Sequence, residues 1–393
     1  MELAALPVEL LDAILAPLAP NSSSLAAAAL SCAALNPSAT RLLYRHLALS
    51  EYAHNTSVIR LLATRRDLAG LVRTFSVHLG DADPAVRPMY SDLQRALARM
   101  TNLTSLALYV DASASWILSP PQAQKSEKSN NLHPEAPSYP RLEHLTCNFP
   151  LDAHLAAFLG QVPSLISLQL SSFLSDSDVH SEPEPAHVHP SHIPLLEAYT
   201  GPARVLPALA SRPLRAVHLS GDLTLDLLAT TSAPSAEEAM PHLRESGAIP
   251  DLDQNSRAST STADADMDTG ALLQVLSAMT SAAPAELLEA LALAYPNLVC
   301  VRLMTTRALW DLPDLAFYSR IADTLSTLPH LTTFELSGMH WQSRRKAEPA
   351  AVVETEWISP PVSPRAPELP PPDIDDDEPL DYDFDGAFLD WSY

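Results

Sequence analysis

Between residues 72 and 336 one short pattern keeps returning: apolar, two variable positions, apolar, one variable position, apolar. It reads Val72, Phe75, Val77; Leu103, Leu106, Leu108; Leu142, Leu145, Cys147; Leu165, Leu168, Leu170; Leu214, Val217, Leu219; Leu298, Val301, Leu303; and Leu331, Phe334, Leu336. Leu196, Tyr199 and Gly201 form a weaker copy. The last two apolar positions alternate as a strand requires, and the leading one turns the chain inward. Helical stretches at 92–100, 153–161, 285–294 and 318–328 each precede a copy. A strand that follows a helix, many times over, finds no partner within its own unit and must stack on its neighbours. The expected fold is therefore α/β, a solenoid with parallel strands along a concave face and helices outside. The copies lie 18 to 39 residues apart, with one gap of 84, so the curve is expected to be uneven. A generic α/β domain with several parallel strands would carry part of the same pattern.

Ahead of the repeats, residues 6–49 read as three short helices. Pro7 can open the first without losing a needed N–H, and Leu10, Leu11, Ile14, Leu15 and Leu18 recur at three- and four-residue spacing. Pro17 and Pro20 close it, and Ser22 to Ser24 offer a cap for a second helix with Leu25, Ala28, Ala29, Cys32 and Leu35 on one face. Asn36 and Pro37 start a third, carrying Leu42, Leu43, Tyr44 and Leu47. So small a unit has a poor ratio of interior to surface and cannot bury all these side chains within itself. A partner surface, or the rest of the domain, must cover them.

The opening L-P-x-E-L-L-x-x-I-L-x-x-L (residues 6–18), the middle Leu30-Ser31-Cys32 and the closing Leu42-Leu43-Tyr44-x-x-Leu47 resemble the F-box, the motif that docks on the Skp adaptor of cullin-based ubiquitin ligases. Where that family often shows V-C-k-x-W, this chain reads SCAALN. The repeats that follow resemble the irregular leucine-rich repeats found after many F-boxes, although Gly80, Asp111, Pro150, Phe173, Asp222, Thr306 and Met339 stand where the consensus has Asn or Cys. The resemblance implies a short helical F-box-like module (1–50), a leucine-rich-repeat domain (51–340) and a tail (341–393). It implies a substrate-recognition subunit of a Skp–cullin–F-box ligase, without covalent chemistry of its own. Leu6, Pro7, Leu10, Leu11, Ile14, Leu15 and Leu18, with Leu30, Cys32 and Leu35, would then face the adaptor. An unknown target protein would meet polar residues between the strand leucines: Ser105, Glu143, His144, Gln169, Arg215, His218, Arg302 and Glu335, with Thr104, Ser167 and Thr333 among their neighbours.

Three segments interrupt the repeats, 119–138, 176–192 and 232–269, each too polar to offset its ordering entropy, so disorder is expected there. Residues 270–279 then resume a helical pattern through Leu272, Leu273, Leu276 and Met279. After Met339 comes a basic cluster (residues 341–346), a Pro-rich run (359–372) and an acidic end. Residues 368–393 hold ten acidic side chains and no Lys or Arg, interleaved with Phe384, Phe388, Trp391 and Tyr393. Such a tail suits a short binding segment or a solubilising one, and the first use gives a rival reading: an interaction scaffold or transcription cofactor outside any ligase.

A formal charge of −23 disfavours nucleic-acid backbones and anionic membranes as partners. Cys32, Cys147 and Cys300 are far apart, with no C-x-x-C pair, which fits a reducing compartment, cytoplasmic or nuclear. Glu2 and the early prolines do not fit a secretory signal. No phosphate loop, nucleophile elbow or H-E-x-x-H is present, and no cofactor is expected. His180, His187, His189 and His192 are the single grouping with metal-ligand residue types, on a segment stiffened by Pro183, Pro185 and Pro190.

Overall fold

The computed structural model describes residues 6–80, 87–120, 138–171, 185–232, 272–306, 315–345 and 355–358. Most of the three segments expected to be disordered, His180 and residues 359–393 lie outside them.

The chain opens with three helices, α1 (Val8–Leu15), α2 (Ser22–Ser31) and α3 (Asn36–Arg45), with a 3-10 turn at Ala16–Leu18. Pro7 starts α1 as expected: its carbonyl accepts from the amides of Leu10 and Leu11, both at 3.1 Å. The second cap is Asn21, whose side chain accepts from the Ser24 amide at 3.1 Å, and not the serines that follow it. That helix stops at Ser31, with Cys32 extended, so Cys32 and Leu35 do not continue its face. Leu47 also leaves the helix expected for it and lies in a strand, residues His46–Ser50.

A single sheet of twelve strands runs in chain order: β1 (His46–Ser50), β2 (Thr74–His78), β3 (Ser105–Tyr109), β4 (His144–Cys147), β5 (Ser167–Leu170), β6 (Ala198–Pro202), β7 (Ala216–Asp222), β8 (Val275–Thr280), β9 (Cys300–Thr305), β10 (Thr333–Leu336), β11 (Met339–Arg345) and β12 (Thr355–Ile358). The first ten are parallel, each paired, among the described residues, with its sequence neighbours. On the outer side lie α4 (Ser57–Thr64), α5 (Arg66–Ala69), α6 (Arg87–Leu97), α7 (Ala153–Leu159), α8 (Leu206–Leu209), α9 (Leu225–Ser232), α10 (Pro284–Ala294) and α11 (Leu315–Ser326), with 3-10 turns at Ala112–Leu118 and Ala203–Val205. The fold is thus a three-helix module followed by an irregular leucine-rich-repeat solenoid.

The repeated apolar positions build the core. Phe75, Leu106, Leu145, Leu168, Tyr199, Val217, Leu276, Val301 and Phe334 sit in register from β2 to β10 and are buried, as are the leading residues from Val72 to Leu331. The weak copy in β6 has its own explanation. A Cβ on Gly201 would stand 2.7 Å from the Tyr199 hydroxyl and 2.9 Å from the Leu170 carbonyl, so the tyrosine occupies the space of the missing leucine. Its hydroxyl donates to the Pro202 carbonyl at 3.0 Å.

Turn groups are satisfied by scattered side chains in place of a consensus asparagine. Asp222 accepts from the Ser281 amide at 2.6 Å, Asp111 from the Ser113 amide at 2.9 Å, and Ser337 from the Thr305 amide at 3.0 Å. Asn148 reaches back to both the amide and the carbonyl of Val110. In each case the partner is a backbone group that the strand ladder leaves open.

Three expectations need correction. Residues 275–280 form strand β8, not a helix, and the gap of 84 residues hides one more copy, Leu273, Leu276 and Ala278, all buried. Residues 341–345 of the basic cluster after Met339 lie in β11, and the sheet runs past residue 340: β11 pairs antiparallel with β10 and β12 with β11, burying Trp341 and Trp357. Residues 185–192, expected to be disordered, are held by the buried Arg212, whose guanidinium donates to the carbonyls of Val188 (3.1 Å) and His189 (2.7 Å). The buried Val188 and Ile193 anchor the same segment.

Candidate functional site

Two surfaces stand out. The first is on the N-terminal module, whose own core is small: Leu15, Leu25 and Ala39 form its buried apolar cluster, with Leu18, Ala28, Leu35, Leu42 and Leu43 packed around them. Asp12 and Arg41 clamp α1 to α3, one guanidinium nitrogen lying 2.5 Å from both carboxylate oxygens. Helical periodicity then sorts the expected adaptor residues into two sets. Leu11 (3% exposed) and Leu15 (5%) turn inward and are not available to a partner, which corrects their assignment. Leu10 and Ile14, with Pro7 at the N-cap, lie at spacings of three and four on the adjoining side of α1, where Leu10 and Ile14 are about half exposed (51% and 50%). Val8, which the sequence reading passed over, is exposed too. Leu30 at 86% and Cys32 are exposed near the end of α2, while Leu6, Leu18 and Leu35 are half-buried. The surplus of apolar surface inferred from the sequence is present on α1 and α2.

The second surface is the open face of the sheet, where register turns alternate residues into rows. Ser105 lies beside His144, then Ser167. A second row runs Gln169, Thr200, His218, Ser277, Arg302, Glu335 and, on β11, His340. Six of the eight expected target contacts therefore stand on strands of one face. Glu143 and Arg215 do not: each precedes its strand and sits on the rim. Glu335 is mostly covered, its carboxylate 3.6 Å from Arg302 Nε and 3.7 Å from His340 Nδ1, and Arg215 lies 3.9 Å from Glu197. Desolvation, and secondly the positive charge of Arg302, push the His218 imidazole below its ordinary value. At one end of this face His78 and Tyr109 stack with ring centres 4.4 Å apart, a pair that the sequence reading missed.

Of the histidine grouping, His187, His189 and His192 are described, and among the described residues no set of three or more His, Cys, Asp or Glu could hold a metal ion. His192 instead packs over Gly160, where an added Cβ would come within 2.9 Å of its ring. Burial lowers its pKa, followed by the charges of His189, Arg212 and His187. Among the described residues no helix is long and apolar enough to cross a membrane.

No protein-family model matches the chain, and no curated protein matches it. Among solved structures it is similar to a chain in the crystal structure of the Rad7 and Elc1 complex in yeast, at 12% identity, covering 79% of this chain and 88% of that one with a TM-score of 0.28. A likeness of that size carries no function across.

Proposed function

We propose that this chain is a substrate-recognition subunit of a Skp–cullin–F-box ubiquitin ligase, with α1 and α2 gripping the adaptor and the open face of the sheet holding a target protein. The observation that carries this reading is the side of α1 bearing Leu10 and Ile14, which stays about half exposed although the module has a core of its own. The exposed Leu10 and Ile14 at helical spacing on α1, and the exposed Leu30 on α2, leave apolar surface that asks for a groove lined with similar side chains. The sheet supports the other half of the reading, because its polar rows offer hydrogen-bonding groups on a rigid, repeated frame. Such a subunit contributes proximity: it raises the concentration of a target lysine near the charged conjugating enzyme and makes no bond itself.

The test is capture of a purified Skp-type adaptor by the wild-type chain and by a Leu10→Asp/Ile14→Asp variant. Both substitutions sit on exposed positions, so the variant is expected to fold and to lose capture. If the wild type fails to hold the adaptor, or the variant holds it equally well, the reading is wrong.

A further inference from the structure

Although the chain as a whole is strongly acidic, one concave site is lined by cations. Where α3 passes into β1, a cavity of about 440 Å³ opens across the starts of β1 to β4. Its lining includes Arg45, His46, Arg73, Thr104, Arg141 and Glu143. Three guanidiniums against one carboxylate give the lining a net charge of +2 with His46 neutral. In a chain carrying −23 this is a local inversion of sign.

The arginines come from separate elements and are brought together by register. Arg45 ends α3, Arg73 and Thr104 each stand one residue before a strand, and Arg141 comes from the turn ahead of β4. A run of backbone bonds fixes their spacing: the Arg73 amide donates to the Arg45 carbonyl at 2.9 Å, the Thr104 amide to Arg73 at 2.8 Å and the Glu143 amide to Thr104 at 2.9 Å. The positive charge is also unanswered. None of the three arginines takes part in an ion pair among the described residues, and of their guanidiniums only that of Arg73 donates within the described residues, to the Asn102 carbonyl at 3.2 Å. A second cavity, toward the helical module, shares Arg45 and Arg73, so both face open space on two sides.

We propose that this Arg45–Arg73–Arg141 cavity is a binding site for a phosphate monoester, presented on a phosphorylated serine or threonine of a peptide. The charge decides between anions: a phosphate monoester carries about −1.5 to −2 at neutral pH and offers three oxygens, matching a +2 lining of planar donor forks, whereas one carboxylate leaves half the charge uncompensated. The opening spans several strands, which leaves room for the peptide backbone on either side of the phosphate. The proposal goes beyond the ligase reading and stands whether or not the module engages an adaptor.

The experiment uses the full chain and a fluorescent seven-residue phosphoserine peptide with neutral flanks, read by anisotropy at low salt. Its unphosphorylated and glutamate twins, and inorganic phosphate as competitor, complete the set. The expected result is binding of the phosphopeptide at least tenfold tighter than either twin, with displacement by inorganic phosphate. An Arg45→Gln/Arg141→Gln variant, at two exposed arginines whose side chains make no hydrogen bond or ion pair among the described residues, should weaken binding at least tenfold, and Arg60→Gln on α4 should leave it unchanged. Equal binding of the glutamate twin, failure of inorganic phosphate to displace the peptide, no binding at all, or an unaffected double variant would each overturn the proposal.

Discussion

Leu10 and Leu15 are both leucines of α1, five residues apart, and truncating each to alanine should have opposite consequences. Leu15 belongs to the buried apolar cluster of the N-terminal module, and a leucine truncated in a core costs about 2–5 kcal/mol. Leu10 is 51% exposed. Full burial of a leucine is worth about 1.5–3 kcal/mol, so the covered half contributes about 1 kcal/mol to the module, and covering the rest in a complex would add about as much again. Amide hydrogen exchange across residues 8–45 separates the two. Leu15→Ala should raise exchange at α1 and α2 at least 30-fold, the equivalent of about 2 kcal/mol, and Leu10→Ala about fivefold at most. In a binding assay with the proposed adaptor the order reverses for the same surface: Leu10→Ala should weaken capture about fivefold while the free module stays closed. If Leu10→Ala opens the module as widely as Leu15→Ala, or if Leu15→Ala leaves exchange unchanged, the division of α1 into an inner and an outer side is wrong.

Other outcomes follow from single contacts. Trp341→Ala should destabilise the far end of the sheet by about 3–5 kcal/mol, measured by denaturant unfolding, because the buried indole packs on Phe334 and Tyr318. Arg212→Ala should make residues 185–193 sensitive to protease, since it strands the carbonyls of Val188 and His189 and costs about 2 kcal/mol. Burial pushes the Cys147 thiol up to about 12, so at pH 8 only about one molecule in 10,000 holds the thiolate; mass spectrometry after brief native alkylation should find the exposed Cys32 modified and Cys147 intact. His192 and His218 are held below 6.5 in the folded chain, so on acidification the unfolded chain takes up protons first. Stability should therefore be flat above about pH 7 and fall as pH drops through 6.5 toward the lowered values, and His218→Gln should reduce that slope in thermal melts.

The parallel sheet was legible because its core positions repeat: a strand buried on one side must place apolar residues at a fixed spacing, and every quoted copy became a strand. What escaped had ordinary physical reasons. The copy in β8 ends in Ala278, whose small side chain weakens the signal, and Leu272 beside Leu273 imitates a helical period. Tyr44, Leu47 and Leu49 carry the same spacing as the other copies, but the preceding helix drew them into its pattern; the structure gives the last two to β1. The hairpin of β10 and β11 did leave a trace. Ser337 and Gly338 form a two-residue turn with positive φ at both (48° and 81°), and Leu336 pairs with Met339 across it. Only the basic character of the residues beyond hid the strand. On α1 the apolar spacing was plain, yet spacing alone could not say which leucines the module would keep for itself. That division depends on where α2 and α3 pack, and packing is not local. The arginine cavity was invisible for the same reason, since its cations lie up to 96 residues apart in sequence.

Strict chain order in the sheet also makes the protein a ruler. Each step between neighbouring strands advances about 4.8 Å, so β10 stands about 43 Å of sheet away from β1, less whatever the curvature takes back. A protein held at the helices before β1 and another held near Arg302 and Glu335 are kept apart by a distance written in the number of repeats. Deleting one whole repeat would shorten that separation by a single step and leave both ends chemically unchanged.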